Sequence, residues 1–314
     1  MSAPLESPSG TSPRPTNLRR AGRWHAWVEI LRRDKRPLVG FGILMIFVCL
    51  AVFAPLLTPY SPTSTAYSPM MGPSARHWFG TTASGQDVWS QFLYGGRISL
   101  SVGFVSGFIA TFLAVIVGML PAYLGGWMDT TMATLTNIML VIPGLPLLIV
   151  ITAYVHQTGP VTIALVIGLT GWAWGARILR SQTLTVSRRD FVAASRLAGE
   201  NRLRVLVAEI LPNMLSLVIA NLVFATIGAI LAEASLEFLG LGNPSTITWG
   251  TMLYWADSGG ALLNGAWWWI VPPGLSIALV GLSLALINFG VDQVSNPRLR
   301  INRVKVKKSR KGGY

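Results

Sequence analysis

Glu233 and Glu237 stand four residues apart at the end of a run that is otherwise uncharged and mostly apolar from Met214 onward. That spacing puts both carboxylates on one face of a helix. An ionisable group inside such a run is a functional candidate by default, because hydrocarbon tolerates it poorly. The pair reads as lining the outer half of a path, or its gate. The alternative is a water-filled outer vestibule in which both are merely solvated. The second stretch with chemistry to offer is Ser187 to Asn213, SRRDFVAASRLAGENRLRVLVAEILPN, small and basic between two greasy segments. Its residue types suit docking, not bond making, and no catalytic set is expected anywhere in the chain. All five lysines, at 35, 305, 307, 308 and 311, lie away from any Gly-rich loop, so no P-loop is present to cradle ATP. No metal site is expected. His156 reads as a surface residue, with ligand as the alternative. The single cysteine, Cys49, has no partner for an internal disulfide.

Within the hairpin, Ser187 followed by Asp190 has the capping-box pattern. Asp190 also suits a positive helix N-terminus. Helical spacing gathers Phe191, Ala194, Ser195 and Ala198 on one face, and Gly199 offers a stop. The expectation is a short helix of roughly three turns with a flat face of small side chains. A second helix, about Arg202–Ile210, then leads to Leu211-Pro212, where proline suits the first turn of the next helix. So short a helix is marginal alone in water. Docking into a partner is one reading; a solvated basic loop is the other.

The elements around these residues are set by composition. Of 314 residues, 52% are apolar and 12% charged, where a soluble domain carries roughly 25% charge. That places the chain among membrane proteins. A span needs about 20 mostly apolar residues. Six are expected, about Leu38–Leu57, Leu100–Leu124, Ala133–Val155, Val161–Leu179, Met214–Leu236 and Trp268–Phe289. Prolines at 121, 143, 146, 272 and 273 imply that these helices are bundled, since neighbours must satisfy the freed backbone. The first span is too long for a cleaved leader and lacks a clean small-x-small site behind it.

Cations fix the orientation. The 25 Lys and Arg fall as eight in residues 1–36, seven in 177–204 and eight from 297 onward, leaving only Arg76 and Arg97. With six spans, all but those two lie on one side, which the positive-inside rule makes cytoplasmic. The net charge of +13 is thereby explained by topology and not by nucleic acid. The expected organisation is a basic cytoplasmic tail at 1–36, partly disordered over its Ser/Pro/Thr-rich start; a first helix at 37–57; an extracytoplasmic loop at 58–97; a five-helix core at 98–290; and a basic cytoplasmic tail at 291–314. A second outer loop covers 243–265. Trp267-Trp268-Trp269 reads as an interfacial anchor, with a ligand platform as the alternative. The GxxxG at Gly103–Gly107 is a weak helix-packing signal.

The hairpin resembles the coupling loop of bacterial ABC importer permeases, whose pattern is Glu-Ala-Ala, three residues, Gly, nine residues, Ile-x-Leu-Pro. Ala193-Ala194-Ser195, Gly199 and Leu211-Pro212 fall in register. Ala193 replaces the Glu, Ser195 the second Ala, and Glu209 the Ile. GTTASGQDVWSQFLYGGRISLSVG resembles the signature of the C-type subunit of dipeptide/oligopeptide permeases, with Thr82, Gln86 and Gln91 in place of Asp, Arg and Arg. ASLEFLGLGNPSTITWGTML and the terminal Asn296-Pro297-Arg298-Leu299-Arg300 resemble further segments of that family.

The resemblance covers about residues 36–300 and implies an all-α polytopic membrane protein with the type I ABC importer fold, six transmembrane helices and cytoplasmic termini. It implies a non-catalytic subunit in the bacterial cytoplasmic membrane, paired with a homologous permease subunit. Two ATP-binding subunits would carry the ATP and Mg, and a solute-binding protein would deliver cargo from outside. Phe191, Ala193, Ala194, Ser195, Leu197 and Gly199 would be the element socketed in the ATPase, near residues 180–213, with Arg196 at the rim. Peptides are the expected solute; oligosaccharides, nickel or another small solute are alternatives. The rival classes are an ion-driven secondary transporter, which would show internal repeats and midplane charge, and a non-transporting membrane scaffold.

Overall fold

The computed structural model describes residues 35–155 and 159–295. The two tails, the terminal 296–300 motif and His156 lie outside the described residues. Among the described residues ten helices follow in chain order: α1 Arg36–Val52, α2 Ala54–Leu57, α3 Val88–Leu124, α4 Gly126–Val141, α5 Gly144–Tyr154, α6 Pro160–Val186, α7 Asp190–Leu197, α8 Arg202–Phe238, α9 Trp249–Ser258 and α10 Trp267–Ser295. Among the described residues the one β-type contact is a bridge between Thr81 and Asp87.

Among the described residues four helices, α3, α6, α8 and α10, are long and apolar enough to cross a membrane. The third expected span is not straight. The stretch expected there folds as α4 and α5, two helices joined at a bend of 88°, where Ile142 and Pro143 are extended. Pro143 explains the corner, because it lacks an N–H and the residue before it, Ile142, avoids helical geometry, while Pro146 falls in the first turn of α5, where no N–H is needed. The first span is also shorter than its hydropathy suggests. Helix α1 has 17 residues and breaks at Phe53, two residues before Pro55.

The centre of the bundle is α3 against α8, with α1 packed on α10. Gly103 and Gly107 sit in the α3–α8 seam. A Cβ at Gly107 would come within 2.8 Å of the Thr226 Cα, and one at Gly103 would run into Ile230. The GxxxG spacing therefore lets two backbones touch. Gly118 does the same toward α6, where an added Cβ would lie 2.9 Å from the Ala176 Cα.

Both central helices contain one π turn, Val115–Met119 in α3 and Leu206–Ile210 in α8. Each is followed by Leu-Pro, at Pro121 and Pro212. Proline removes a donor and crowds the preceding turn; a widened turn just ahead of it relieves the crowding without stopping the helix. Hence Arg202–Ile210 is not a separate helix but the first turns of α8.

At one end of the bundle, residues 58–87 fold over the start of α3. Asp87 caps α3, accepting from the Ser90 backbone at 2.8 Å and its hydroxyl at 2.7 Å. Its other oxygen takes His77 Nδ1 at 2.7 Å. Helix α3 consequently begins at Val88, inside the stretch read as loop. Gly80 and Gly85 adopt φ of +65° and +73° in this cap, pressed on the Met71 and Tyr67 carbonyls. Of the tryptophan triplet, only Trp267 is free to face a headgroup layer. Trp268 packs on Gly80 and donates to the Thr81 carbonyl at 3.3 Å, and Trp269 is buried.

Candidate functional site

Helix α7 lies at the opposite end of the bundle from the 58–87 cap. It has eight residues, two turns and not three, and its start differs from the capping-box expectation. Ser187 is still helical, at φ −64° and ψ −16°, and ends α6; its hydroxyl donates back to the Leu184 carbonyl. Arg189 is the N-cap and makes no side-chain cap bond. The stop is as expected, with Gly199 at φ +80° and the Glu200 N–H returning to the Ser195 carbonyl. The next helix is capped by Asn201, which accepts from the Leu203 N–H at 2.9 Å.

One side of α7 is fastened to the bundle. Val192 is 0% exposed, in an apolar cluster with Tyr123, Leu179, Val205, Leu206 and Ile210. Ser195 donates to Glu209 Oε1 at 2.6 Å. Arg196 was expected at the rim toward a partner; its guanidinium lies 4.8 Å over the Tyr123 ring at the end of α3, with Nε 3.4 Å from the hydroxyl. The other side is bare. Leu197 is 89% and Phe191 37% exposed, and Ala193, Ala194, Ala198 and Gly199 are open too. The socket set is thus split: Ser195 turns inward, while Phe191, Ala194 and Leu197 face out. Two large apolar side chains among small ones, held out by a buried valine, make a surface that another protein can enter closely.

Nearby, Arg180 of α6 grips Asp129 of α4 with two parallel bonds of 2.7 and 2.8 Å. The pair closes the α3–α4 corner, where Gly125 and Gly126 both have positive φ. Neither this pair nor Tyr123 or Glu209 was legible as functional. The partners lie 51, 73 and 14 residues apart, beyond any helical spacing.

The carboxylate pair has a different setting from the one expected. Glu233 is 0% and Glu237 2% exposed, so neither lines a water-facing path in this structure. They lie where α8 meets α3 and α9. Ser99 of α3 donates to Glu233 Oε1 at 3.0 Å and itself accepts from the Trp249 N–H at 3.1 Å. Glu237 packs on Gly242 and Gly250. The two glutamates meet each other, and the Oε2 atom of each bonds no group outside the pair. Burial follows from shape: Gly95 and Gly96 let Thr248 and Trp249 approach α3, and Gly250 lets α9 lie on Ala234. Beside this junction is a cavity of about 450 Å³, open to the outside of the bundle and lined by uncharged groups that include Gln86, Gln91, Thr246, Thr251 and Trp255. Among the described residues no group of three or more His, Cys, Asp or Glu could hold a metal ion.

Comparison with known proteins agrees with this geometry. Residues 110–301 match the family described as binding-protein-dependent transport system inner membrane component. Residues 22–73 match the N-terminal TM domain of oligopeptide transport permease C. The chain is 35% identical over 306 residues to the dipeptide transport system permease protein DppC of Alkalihalophilus pseudofirmus, covering 95% of this chain and 97% of that one. It is 34% identical over 279 residues to the DppC of Bacillus subtilis, covering 88% and 85%. It is 31% identical over 279 residues to the oligopeptide transport system permease protein OppC of the same organism, covering 88% and 90%. With the helical bundle, the exposed two-turn helix and matches that run nearly end to end, the chain belongs to the binding-protein-dependent transport system inner membrane components, a family of ABC transporter permeases.

Proposed function

We propose that this chain is one of two permease subunits of an ATP-driven peptide importer in the bacterial cytoplasmic membrane, and that α7 docks in a groove of an ATP-hydrolysing subunit. The observation that carries this is the two-sided character of α7: anchored by Val192 on one side, bare and apolar at Phe191 and Leu197 on the other. ATP and Mg are held by the ATPase subunits, and closure of those subunits displaces α7 and tilts the bundle between two states. A solute-binding protein delivers cargo at the end formed by the 58–87 cap and α9. Peptide as cargo rests on the printed names of the relatives and on a cavity without fixed charge, which suits solutes of varied side chains.

The reading includes six spans, with α4–α5 as one bent crossing and α1 as a short one, and both termini cytoplasmic. Contacts support it. Pro37 in α1 meets Gly290 in α10, so the two ends of the described chain are together. Tyr123 meets α7, and Trp268 meets the 58–87 cap at the other end. The test is Leu197→Glu in cells that carry the complete transporter. The variant inserts normally, because the side chain at 197 is 89% exposed, but pull-down of the ATPase subunit with the tagged chain is lost and uptake of a labelled dipeptide drops at least about tenfold, as for loss of a central interface anchor. Unchanged uptake with Leu197→Glu sinks the docking assignment.

A further inference from the structure

Between α7 and α8 the chain runs through Ala198 to Asn201, an exposed turn held by local bonds alone: the Glu200 N–H on the Ser195 carbonyl and the Glu200–Arg204 ion pair of 3.1 Å. Gly199 is exposed at φ +80°, and an added Cβ there would meet nothing within 4 Å. A force applied to the outer face of α7 would therefore turn it about this joint, unless something else ties it to α8. Three side chains on its inner face, Val192, Ser195 and Arg196, stand at helical spacing to do so. Val192 is apolar and non-directional. Arg196 reaches α3, not α8, through Tyr123. Only Ser195 makes a directed bond to α8.

That bond is specific in geometry. The Ser195 hydroxyl has one proton and two acceptors in reach, the Phe191 carbonyl at 3.1 Å and Glu209 Oε1 at 2.6 Å. The shorter contact, to a carboxylate, takes it, because charge-assisted bonds are the shorter and stronger kind. Glu209 is held in turn. It sits in the π turn Leu206–Ile210, and its carbonyl accepts from Asn213 Nδ2 at 2.7 Å across Pro212. Both side chains are half-buried, so water competes less for the bond than at a free surface. Ser195 and Glu209 are also the small-residue and isoleucine positions of the coupling-loop pattern, so the two departures touch each other.

We propose that Ser195 and Glu209 are positioning residues for transport: their hydrogen bond fixes α7 to the π turn of α8, so that displacement of α7 moves α8 as one body and is not spent bending at Gly199. The inference rests on the reading of α7 as the ATPase-docking helix. The test uses the complete transporter, purified through a tag on this chain and placed in liposomes with its solute-binding protein and tritiated dialanine. Dialanine imported per ATP hydrolysed is the readout. Glu209→Ile is expected to leave complex yield and ATP hydrolysis near wild type and to lower that ratio at least about tenfold, the size expected for a lost charge-assisted bond. Ser195→Ala does the same and serves if Glu209→Ile fails to assemble. Glu209→Gln, which still accepts from Ser195, keeps the ratio within about twofold. An unchanged ratio in both Glu209→Ile and Ser195→Ala, or a Gln variant as poor as the Ile variant, overturns the proposal. If wild type itself imports nothing on ATP, or Leu197→Glu imports normally, the docking reading fails first; if Leu197→Glu uncouples and Glu209→Ile does not, only the positioning role falls.

Discussion

At the scale of single residues, Glu233 and Glu237 carry the clearest tension. Two carboxyl groups lie enclosed together in one junction, and Oε2 of each bonds no group outside the pair. Enclosed charged groups are retained at a cost, and replacing them with groups that complement each other is often neutral or stabilising. Glu237→Gln offers Glu233 a permanent donor amide while keeping the shape of the side chain. We expect the detergent-solubilised variant to melt at or above the wild-type temperature. A drop of more than about 5 °C, the order of a 1–2 kcal/mol loss in a chain of this size, would mean that the second carboxylate makes a contact that an amide cannot. The spacing of the pair was legible, and so was their shared face. Their enclosure was not, because it depends on Gly95, Gly96 and Gly250 bringing two other elements over them.

Among the elements, glycines divide by what lies opposite. Gly107 and Gly228 both sit inside long apolar helices, α3 and α8, and look alike in sequence. An added Cβ at Gly107 would lie 2.8 Å from Thr226 backbone atoms, while one at Gly228 would meet nothing within 4 Å. Gly107→Ala is expected to cost about 1–3 kcal/mol, as overpacking does. Gly228→Ala should be neutral or gain up to about 1 kcal/mol of helix preference. Melting of the two variants in the same detergent separates them; equal melting temperatures would deny the α3–α8 seam its close contact. Element type was legible from hydropathy, but element ends were not. Helix α3 begins ten or more residues earlier than its apolar run because Asp87, held by His77, caps it. The bend between α4 and α5 was marked by Pro143 and Pro146, yet proline in a membrane helix signals either a kink or a full corner, and only the packing around it decides.

For the whole molecule, charge placement says more than any one helix. The proposed topology puts Ser64, in the 58–87 cap, on the outside. A Ser64→Cys chain with Cys49 replaced should react with an impermeant thiol reagent added to intact spheroplasts, at a rate at least about tenfold above a cysteine at position 188, which membrane shielding keeps from the reagent. Equal or inverted labelling would reverse the orientation. The fold class, the exposed hairpin and the family were within reach of sequence. What holds the hairpin in place was not, since Tyr123, Val192 and Glu209 come together only when α3, α7 and α8 are assembled. The contact between Ser195 and Glu209 has a bearing on ancestry as well. Exchange of the segment up to Gly199 with a relative that has alanine at 195 would strand Glu209 without its donor; exchange of the segment beyond it alone would strand the serine. Lineages should therefore carry the hydroxyl and the acid together or lose them together, and a chimera should take its borders outside residues 187–213.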